Sequence, residues 1–443
     1  MSEKRIFTTI SVNIITLGCS KNLVDSEKLL RQMEANGFLP FHNSDEYTDI
    51  VIINTCGFIL DAKSESIETI LSYADAKNKG LIRKLIVTGC LSQRYGETLK
   101  SEIPEVDAYF GVNQEPEMIR SLGGNYHTGL LHERTLTTPS HYAFLKIAEG
   151  CNRNCSFCTI PSIRGKQISN QIDNIMKEAE FLVNKGVKEI LLIAQDLTSY
   201  GTDLYRERSL GKLLNELVTI NGLEWIKLHY AYPLGFPSHE IAAIMNSSPK
   251  ICKYLDIPIQ HINDRILRAM NRGHGRKEIE DIVTYLRQEV PDIAIRTTII
   301  SGFPGETVSE YEELKTYLSE TRFERLGVFS YSEEEGTAAA DKMEDDVPAE
   351  IKEARKEELL SIQQNISLDL NIHKIGKTFK VIIDREEGEF FAGRTQYDSP
   401  EIDNEVLVPK SGNEMLPGHF YDVIITDAME FDLFGEVKAG LVI

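Results

Sequence analysis

The sequence predicts an α/β protein with three parts: an N-terminal doubly wound parallel sheet, a central partial (βα)6 barrel and a small C-terminal antiparallel β-barrel. Short apolar runs alternate with amphipathic helical stretches as far as residue 330, a pattern typical of parallel sheets. Beyond residue 376 the strands become short and follow one another between Gly, Asn and Pro turns. We expect domains at residues 1–130, 137–374 and 375–443.

Composition narrows the class of protein before any motif is considered. The chain has 443 residues, and no apolar run approaches the ~20 residues that a membrane helix needs. Residues 1–7 do not read as a signal peptide, so we expect a cytoplasmic protein. The net charge of −20 disfavours general binding to nucleic acid and favours a basic protein partner. Seven cysteines, an odd number, indicate metal ligation more than a disulfide framework.

Three apolar runs in the N-terminal part each end just before a cysteine. The runs cover residues 11–18, 49–55 and 84–89, and the cysteines are Cys19, Cys56 and Cys90. Parallel strands end at a shared edge, so these thiols should converge and form a three-thiolate site with one open coordination position. The alternative is three ordinary buried cysteines. Three polar residues nearby could border this site or cap helices, and we expect caps: Asn22, Asn54 and Gln93.

The central part contains six strand-helix units, too few for a closed eight-stranded barrel. In such barrels the chemistry lies at the carboxyl ends of the strands. The predicted strands are Tyr142–Ala148, Glu189–Ala194, Trp225–Tyr230, Tyr254–Ile259, Ala294–Ile300 and Leu326–Phe329.

The loop after the first of these strands carries Cys151, Cys155 and Cys158 within eight residues, and no fourth local ligand follows. A structural zinc site normally has four protein ligands, whereas a four-iron cluster on three thiolates keeps one iron open. A zinc site completed by His141 or a distant cysteine remains the alternative.

Polar residues follow or adjoin later strands and would face the same site. Gln195, Gln260, Gly302 and Glu306 follow strands, and Arg296 is a candidate fork for a carboxylate. Taken singly, each has an ordinary reading as a turn or an ion-paired residue. Other residues are expected to be structural: Cys252 before the fourth strand, and solvated acidic linkers at 333–335 and 343–346.

The last third begins with a helix over about residues 347–374 that should pack on the central barrel. Its predicted apolar stripe comprises Ile351, Ala354, Leu359, Leu360, Ile362 and Ile366. A five-stranded β-barrel follows, an architecture often used on nucleic acids. Residues 377–443 carry six Lys and Arg against fourteen Asp and Glu, which favours a basic protein partner over RNA. The alternative is a local basic patch formed by Lys377, Lys380, Arg385 and Arg394.

These residues carry a resemblance to a known family. The loop with Cys151, Cys155 and Cys158 resembles the cluster loop of radical S-adenosylmethionine enzymes. The layout, with three further cysteines ahead and a TRAM-like barrel behind, is similar to the methylthiotransferases over nearly the full chain. Four stretches resemble the branch that modifies an aspartate of small-subunit ribosomal protein S12: Leu17–Glu27, Ile160–Gly165, Asp256–His261 and Tyr331–Gly336.

The sequence departs from related patterns at three points. The tRNA-adenosine branch usually has Gln-Met-Asn after the first cysteine, where this chain has Ser20-Lys21-Asn22. The loop after the second strand lacks the Gly-Gly-Glu of many radical S-adenosylmethionine enzymes, which leaves the role of Gln195 or Asp196 open. The segment Leu228–Pro233 differs from the commoner apolar version.

The resemblance implies a reaction, its cofactors and its partners. It implies two [4Fe-4S] clusters and S-adenosylmethionine, with a pocket lined by Gln195, Gln260, Arg296, Gly302 and Glu306. The product would be a methylthio group on the β-carbon of an aspartate in S12, free or on the ribosome. A low-potential electron donor such as flavodoxin or ferredoxin and a sulfur donor would be needed. The alternatives are methylthiolation of a tRNA adenosine and, outside the enzymes, a zinc-stabilised RNA-binding adaptor.

Overall fold

A computed structural model describes residues 9–412 and 414–438. The segment that we examined for a signal peptide and the last five residues of the predicted C-terminal domain lie outside these ranges. The fold divides into two compact units. The first comprises the described residues up to Thr137, with Glu149–Cys151 and Thr159–Lys166; the second comprises Thr138–Ala148, Asn152–Cys158 and the chain from Gln167 onward.

The first unit contains a five-stranded sheet in the order β2-β1-β3-β4-β5, and all of its neighbouring strands are parallel. The strands are β1 (Ser11–Thr16), β2 (Leu39–His42), β3 (Ile50–Thr55), β4 (Lys84–Gly89) and β5 (Ala108–Tyr109). The helices are α1 (Ser20–Ala35), α2 (Leu60–Asn78), α3 (Cys90–Glu102), α4 (Glu115–Ser121) and, later in the chain, α5 (Ile160–Arg164). The predicted parallel sheet is confirmed, and β2 and β5 extend it.

Strand β3 explains why this sheet is covered on both faces. All six of its residues are buried. Val51 and Ile53 belong to the apolar core on one face, and Ile50 and Ile52 belong to the core on the other. Successive side chains of a strand point to opposite faces, so a continuous apolar run requires a layer of helices on each side.

The second unit contains a six-stranded parallel sheet in the order β13-β12-β11-β10-β9-β6, which confirms the partial barrel. Its strands are β6 (Tyr142–Lys146), β9 (Glu189–Ile193), β10 (Trp225–Leu228), β11 (Ile251–Asp256), β12 (Ala294–Ser301) and β13 (Arg325–Ser330). The short strands β7 (Ala148–Glu149) and β8 (Ile168–Ser169) stand before and after the cysteine loop. The helices that follow are α6 (Ile172–Asn184), α7 (Leu210–Leu217), α8 (Ser238–Ser247), α9 (Asp264–Ala269), α10 (Arg276–Glu289), α11 (Val308–Thr321), α12 (Ala338–Lys342) and α13 (Ala349–Ile372).

Two predictions for this unit need correction in part. Cys252 lies within β11, because the strand begins three residues earlier than predicted, and it is buried against Trp225 and Tyr254. The acidic segments are exposed at Glu333, Glu335, Glu344 and Asp346, as predicted. Two residues depart from this prediction: Glu334 is buried, and Asp345 pairs with Lys352 of α13 at 2.5 Å.

Helix α13 packs on β12 and β13 as predicted, but its buried face differs from the predicted stripe. Leu359 and Ile366 are buried, whereas Ile351 and Leu360 are about two-fifths exposed. The remaining buried positions on this face are polar: Lys352, Arg355, Gln363, Ser367 and Asn371. An apolar pattern could not reveal them, because their burial depends on partners contributed by distant loops.

The C-terminal segment is a closed five-stranded barrel in the order β14-β15-β16-β18-β17. Its strands are β14 (Thr378–Glu387), β15 (Phe390–Thr395), β16 (Glu405–Pro409), β17 (Phe420–Ala428) and β18 (Asp432–Val437). Four pairs are antiparallel, but β16 and β18 are parallel. A closed ring with an odd number of strands cannot alternate throughout, so one parallel pair is required.

This barrel packs on the amino-terminal ends of the central strands, within the same unit. Trp225, the first residue of β10, meets Phe420 at 4.8 Å between ring centroids. Arg394 is buried and pairs with Glu189 at the start of β9. Two other members of the basic patch considered above also have carboxylate partners: Lys380 with Glu224, and Arg385 with Glu405. Three of the four residues of that patch, Arg394, Lys380 and Arg385, are therefore paired with carboxylates.

Among the described residues, no helix combines the length and the apolar character that crossing a membrane demands.

Candidate functional site

Three cysteines of the first unit meet at one edge of its sheet. Cys19 follows β1, Cys56 follows β3 directly, and Cys90 follows β4 directly. The approach is close: a Cβ atom on Gly18, whose φ is +88°, would lie 2.9 Å from the Cys56 Sγ. Burial, together with the neighbouring Cys19 and Cys90, raises the pKa of the Cys56 thiol to about 11. The sheet therefore brings together three thiols that lie more than thirty residues apart in sequence.

The asparagines beside this site are not helix caps, contrary to expectation. Asn22 lies inside α1, and its amide donates to the carbonyls of Leu17 at 2.8 Å and Thr55 at 3.0 Å. Asn54 lies in β3 and donates to the Asn22 carbonyl at 2.9 Å. These contacts fix the two strand ends that precede Cys19 and Cys56.

Gln93 and Ser66 also act within this edge. Gln93 lies inside α3 and accepts a hydrogen bond from the Val112 backbone, so it is not a cap either. The Ser66 hydroxyl of α2 accepts from the Cys56 N–H at 3.1 Å and donates to the Cys56 carbonyl at 2.9 Å. The backbone that carries the Cys56 thiol is thereby held on both sides.

The base of the second cysteine loop is closed by backbone contacts in the first unit. The Cys151 N–H donates to the Gly165 carbonyl at 3.1 Å. Gly150 has a φ of +76°, and a Cβ there would lie 2.3 Å from the Lys166 carbonyl oxygen. Only glycine allows this approach. The two ends of the loop that begins at Cys151 are therefore held together.

Residues between the second and third cysteines of this loop are anchored within the second unit. The Ser156 N–H donates to the Met270 carbonyl at 3.0 Å, and its hydroxyl donates to Ala269 at 2.8 Å. The Ser156 carbonyl accepts from Ala339 at 2.7 Å. Phe157 stacks edge-on against Phe303 at 6.5 Å. Cys155 and Cys158 on either side are therefore presented from a fixed turn.

Cys155 has cationic and aromatic neighbours. Arg272 donates to its Sγ at 3.3 Å, and the Tyr232 hydroxyl lies 3.6 Å from the same sulfur. The guanidinium groups of Arg153 and Arg272 each lie 4.1 Å from the centre of the Tyr232 ring. Arg153 is held in turn by Asp196, at 2.7 Å. Positive charge beside a thiolate stabilises the ligand form of cysteine.

Four of the five residues predicted to contact a cofactor stand beyond the carboxyl ends of the central strands. Gln195, whose Oε1 is buried, follows β9. Gln260 follows β11 with a φ of +71°, and its Oε1 is buried with no hydrogen-bond partner in the described residues. A left-handed backbone at a non-glycine residue and an unmade hydrogen bond are costs that a ligand site can justify.

Gly302 and Glu306 form one turn after β12. The carboxylate of Glu306 accepts from the Gly302 N–H at 2.8 Å and pairs with Arg355 of α13 at 2.8 Å. Burial raises the pKa of Glu306. Burial also lowers the pKa of His261 to about 3, and the His261 Nε2 lies 3.8 Å from Glu306. Glu306 thus holds the backbone of the turn, while the turn itself faces the strand ends.

Arg296 does not join these residues. It lies near the amino end of β12, where its guanidinium pairs with Asp403 of the C-terminal segment at 2.6 Å. Asp403 also accepts from the Tyr254 hydroxyl at 2.9 Å. Strand position decides this placement, because residues near the start and the end of a strand lie at opposite edges of the sheet.

The donor atoms fit an iron-sulfur cluster and a polar cofactor. Both cysteine sets offer thiols, the ligands that hold such clusters. The Gln260 Oε1 offers an acceptor to a ligand N–H. No three His, Cys, Asp or Glu side chains within residues 9–412 and 414–438 are grouped so as to hold a single metal ion. A four-iron cluster is larger than one ion, so that finding concerns mononuclear sites.

Sequence reasoning missed the polar residues that touch the thiols. Arg272 donates to Cys155, and Arg164 donates to Cys90, each at 3.3 Å. Arg164 lies in Ile160–Gly165, one of the four stretches that carry the family resemblance. Its position beside the cysteine loop was the one sequence feature that could have pointed to a contact with a thiol. Arg272 and Tyr232 had no local signal, since each is far from Cys155 in sequence.

Family models match three parts of the chain. Residues 11–111 match the family described as Uncharacterized protein family UPF0004, residues 145–318 match the Radical SAM superfamily, and residues 375–437 match the TRAM domain.

Curated relatives match along nearly the whole chain. The Flavobacterium psychrophilum protein named Ribosomal protein uS12 methylthiotransferase RimO is 53% identical over 425 residues, covering 96% of this chain and 97% of the relative. The proteins of the same name from Cytophaga hutchinsonii and Bacteroides thetaiotaomicron are 52% and 50% identical, covering 96% and 99% of this chain and 97% and 99% of theirs.

Solved structures show a similar fold. The radical S-adenosylmethionine methyltransferase TsrM from Kitasatospora setae, solved with cobalamin and a [4Fe-4S] cluster, has a TM-score of 0.54 at 12% identity, covering 75% of this chain and 77% of that one. The cobalamin-dependent S-adenosylmethionine radical enzyme OxsB has a TM-score of 0.52 at 12% identity, covering 81% and 56%.

Proposed function

This chain belongs to the family of ribosomal protein uS12 methylthiotransferases, and on that premise we propose that it adds a methylthio group to the β-carbon of an aspartate in ribosomal protein S12. It is a radical S-adenosylmethionine enzyme that uses an iron-sulfur cluster. The observation that carries the finer proposal is the presence of two separate sets of three cysteines: one follows three parallel strands, and the other lies in a single loop after β6.

We assign one [4Fe-4S] cluster to each set. Cys151, Cys155 and Cys158 would hold the cluster that binds S-adenosylmethionine, and Cys19, Cys56 and Cys90 would hold an auxiliary cluster. The bound groups supply reductive cleavage of S-adenosylmethionine, removal of a hydrogen atom from the substrate carbon, and delivery of sulfur. No side-chain acid or base can break an unactivated C–H bond at neutral pH, which is why such groups are needed.

The protein's own residues bind, orient and exclude water. Gln260 would accept a hydrogen bond from the cofactor through its buried Oε1, and Gln195 would contribute from the end of β9. Gly302 would line the pocket with its backbone, while the space that a Cβ would occupy is taken by Lys352, 2.3 Å away, and Glu306 would keep the turn in place through the Gly302 N–H. Phe303 and Tyr331 form an apolar wall together with Phe157. Excluding water from such a pocket protects reactive species from side reactions.

The partners follow from charge and chemistry. The acidic C-terminal segment favours a basic protein, in line with a ribosomal protein as substrate, free or on the ribosome. The reaction would then take place in the cytoplasm, where ribosomes are found. It also needs a low-potential electron donor such as flavodoxin or ferredoxin, and a sulfur donor. We retain the division at residues 1–130, 137–374 and 375–443 as part of this proposal.

Anaerobic reconstitution with iron and sulfide tests the cluster assignment. We expect each triple Cys→Ala variant to lose about half of the parent's iron, because one of two equal clusters is removed. Cys252→Ala is the matched control and should keep the parent's iron, since Cys252 is buried in an apolar cluster. The assignment fails if both triple variants retain the parent's iron, or if the parent binds only zinc, as the adaptor alternative requires.

Mass spectrometry of a deletion strain tests the substrate. S12 from that strain should lack the mass of one methylthio group in place of hydrogen, and the parent gene should restore it. S12 that keeps this mass while tRNA loses it would establish the tRNA alternative instead.

A further inference from the structure

We propose that Arg164 is a positioning residue of the auxiliary cluster: it supports the cysteine edge and raises the reduction potential of the group bound there. This inference rests on the proposed function, which assigns a cluster to Cys19, Cys56 and Cys90.

The guanidinium of Arg164 is fully engaged inside the first unit. Its side chain is 2% exposed. The Nε donates to the Cys90 Sγ at 3.3 Å, and Nη1 donates to Glu149 at 2.8 Å and to Asp25 at 3.1 Å. Nη2 donates to the Asn22 Oδ1. A planar fork with several fixed partners holds one orientation, which a flexible ammonium would not.

Asn22 links Arg164 and Cys90 to the strand ends that precede the other two cysteines. Its Oδ1 accepts from Arg164 and lies 3.9 Å from the Cys90 Sγ. Its amide donates to the carbonyls of Leu17 and Thr55, which precede Cys19 and Cys56. Arg164 and Asn22 together therefore connect the backbone at two cysteines with the sulfur of the third.

The charge of Arg164 predicts the direction in which this contact shifts the reduction potential of the cluster. A thiolate-ligated cluster becomes more negative when it is reduced, so a buried N–H donor and a positive charge at its sulfur favour the reduced state. Asp25 and Glu149 weaken the effect through their own charges. They do not cancel it, because the guanidinium nitrogen and not a carboxylate contacts the sulfur.

Chain position adds a second consequence. Arg164 ends α5, which begins two residues after Cys158. The short helix that leaves one cysteine loop thus supplies a contact to the other cysteine set. We infer that loss of Arg164 changes the auxiliary cluster even though the residue belongs to the loop of the first.

The test is a redox titration of the auxiliary cluster alone, in the full-length chain carrying Cys151→Ala, Cys155→Ala and Cys158→Ala. Dithionite, through dye mediators, donates one electron to the cluster, and no bond forms or breaks. Electron paramagnetic resonance measures the reduced fraction. In Arg164→Gln we expect the ratio of reduced to oxidised cluster at the parent's midpoint to fall about tenfold, a shift of about 59 mV to lower potential.

Two further variants separate charge from packing. Arg164→Lys keeps the charge but loses the fork, so its shift should be smaller and in the same direction. Arg134→Gln is the matched control: Arg134 is equally buried and pairs with Glu27 of α1 at 3.0 Å. It should lose stability while keeping the parent's potential.

The outcomes distinguish this inference from the proposed function. A parent chain that binds no cluster at Cys19, Cys56 and Cys90 overturns both. A parent that binds the cluster, with the same midpoint in Arg164→Gln and Arg164→Lys, overturns only the role of Arg164. The role of Arg164 is also overturned if Arg134→Gln shifts the reduction potential as much as Arg164→Gln does. If Arg164→Gln does not fold, the midpoint potential of Arg164→Lys decides: a shift to lower potential supports the role of Arg164, and an unchanged potential overturns it.

Discussion

Arg394 of β15 and Glu189 of β9 form a two-point ion pair in the interior, with Nη2–Oε2 at 2.7 Å and Nη1–Oε1 at 3.2 Å. Lys227 meets the same Glu189 carboxylate at 2.5 Å. Asp384 accepts from the Arg394 Nε at 2.6 Å and contacts the His141 ring at 2.8 Å. The C-terminal barrel is thus joined to the amino-terminal ends of the central strands by buried charges.

Arg394→Leu should destabilise the second unit. Removing one partner of a buried pair leaves an uncompensated charge, which costs about 3–5 kcal/mol. Urea denaturation followed by circular dichroism should show a lower midpoint. Lys380→Ala is the control, because Lys380 and Glu224 form an exposed pair worth about 1 kcal/mol or less. Equal midpoints for the two variants would contradict the structural role of the buried pair.

Gln260→Leu should weaken binding of S-adenosylmethionine to the reconstituted enzyme. A lost hydrogen bond of about 1.4 kcal/mol raises Kd about tenfold. Equilibrium dialysis measures the effect. Arg296→Gln provides the contrast, since Arg296 pairs with Asp403 at the other edge of the sheet and should leave Kd unchanged. If instead Arg296→Gln raised Kd and Gln260→Leu left it unchanged, Arg296 and not Gln260 would contact the cofactor.

His261 should make stability fall in acid. Burial lowers its pKa from 6.5 to about 3, so the unfolded chain binds a proton that the folded chain does not. The free energy of unfolding is therefore not reduced by His261 above pH 6.5. As the pH falls from 6.5 toward 3, protonation of His261 in the unfolded chain lowers the free energy of unfolding by at most about 1.4 kcal/mol per pH unit. His261→Gln should reduce the slope of unfolding free energy against pH between about pH 5 and 6.5. An unchanged slope in urea titrations of the metal-free chain would show that His261 is protonated in the fold.

Ser156→Ala should loosen the loop that carries Cys155 and Cys158. The lost hydroxyl bond to Ala269 is worth about 1 kcal/mol, or about a fivefold change in an equilibrium constant. Chelator-driven release of iron should become faster in the variant. The control is Ser162→Ala, because the Ser162 hydroxyl bonds only locally, to the Thr159 carbonyl. Equal release rates would show that the backbone contacts of Ser156 suffice.

The order of elements and both cysteine sets could be read from the sequence. Apolar runs such as Ile50–Thr55 are continuous because they are buried on both faces, and this pattern is local. The placement of Cys19, Cys56 and Cys90 at one edge followed from parallel topology alone. The fifth strand of the C-terminal barrel was implied by its length, but its parallel pairing with β16 depends on closure of the ring.

Sequence by itself therefore determined the fold class, the thiols and the reaction family, because each depends on local periodicity, spacing or motif. The tertiary structure alone decided which polar residues serve which site. In the folded chain Arg296 pairs with Asp403, Arg355 pairs with Glu306, and Arg164 donates a hydrogen bond to Cys90. A buried charge takes its role from the partner that compensates it. That partner is 15 residues away in the pair Arg164–Glu149 and 107 residues away in the pair Arg296–Asp403, so no local pattern can reveal it.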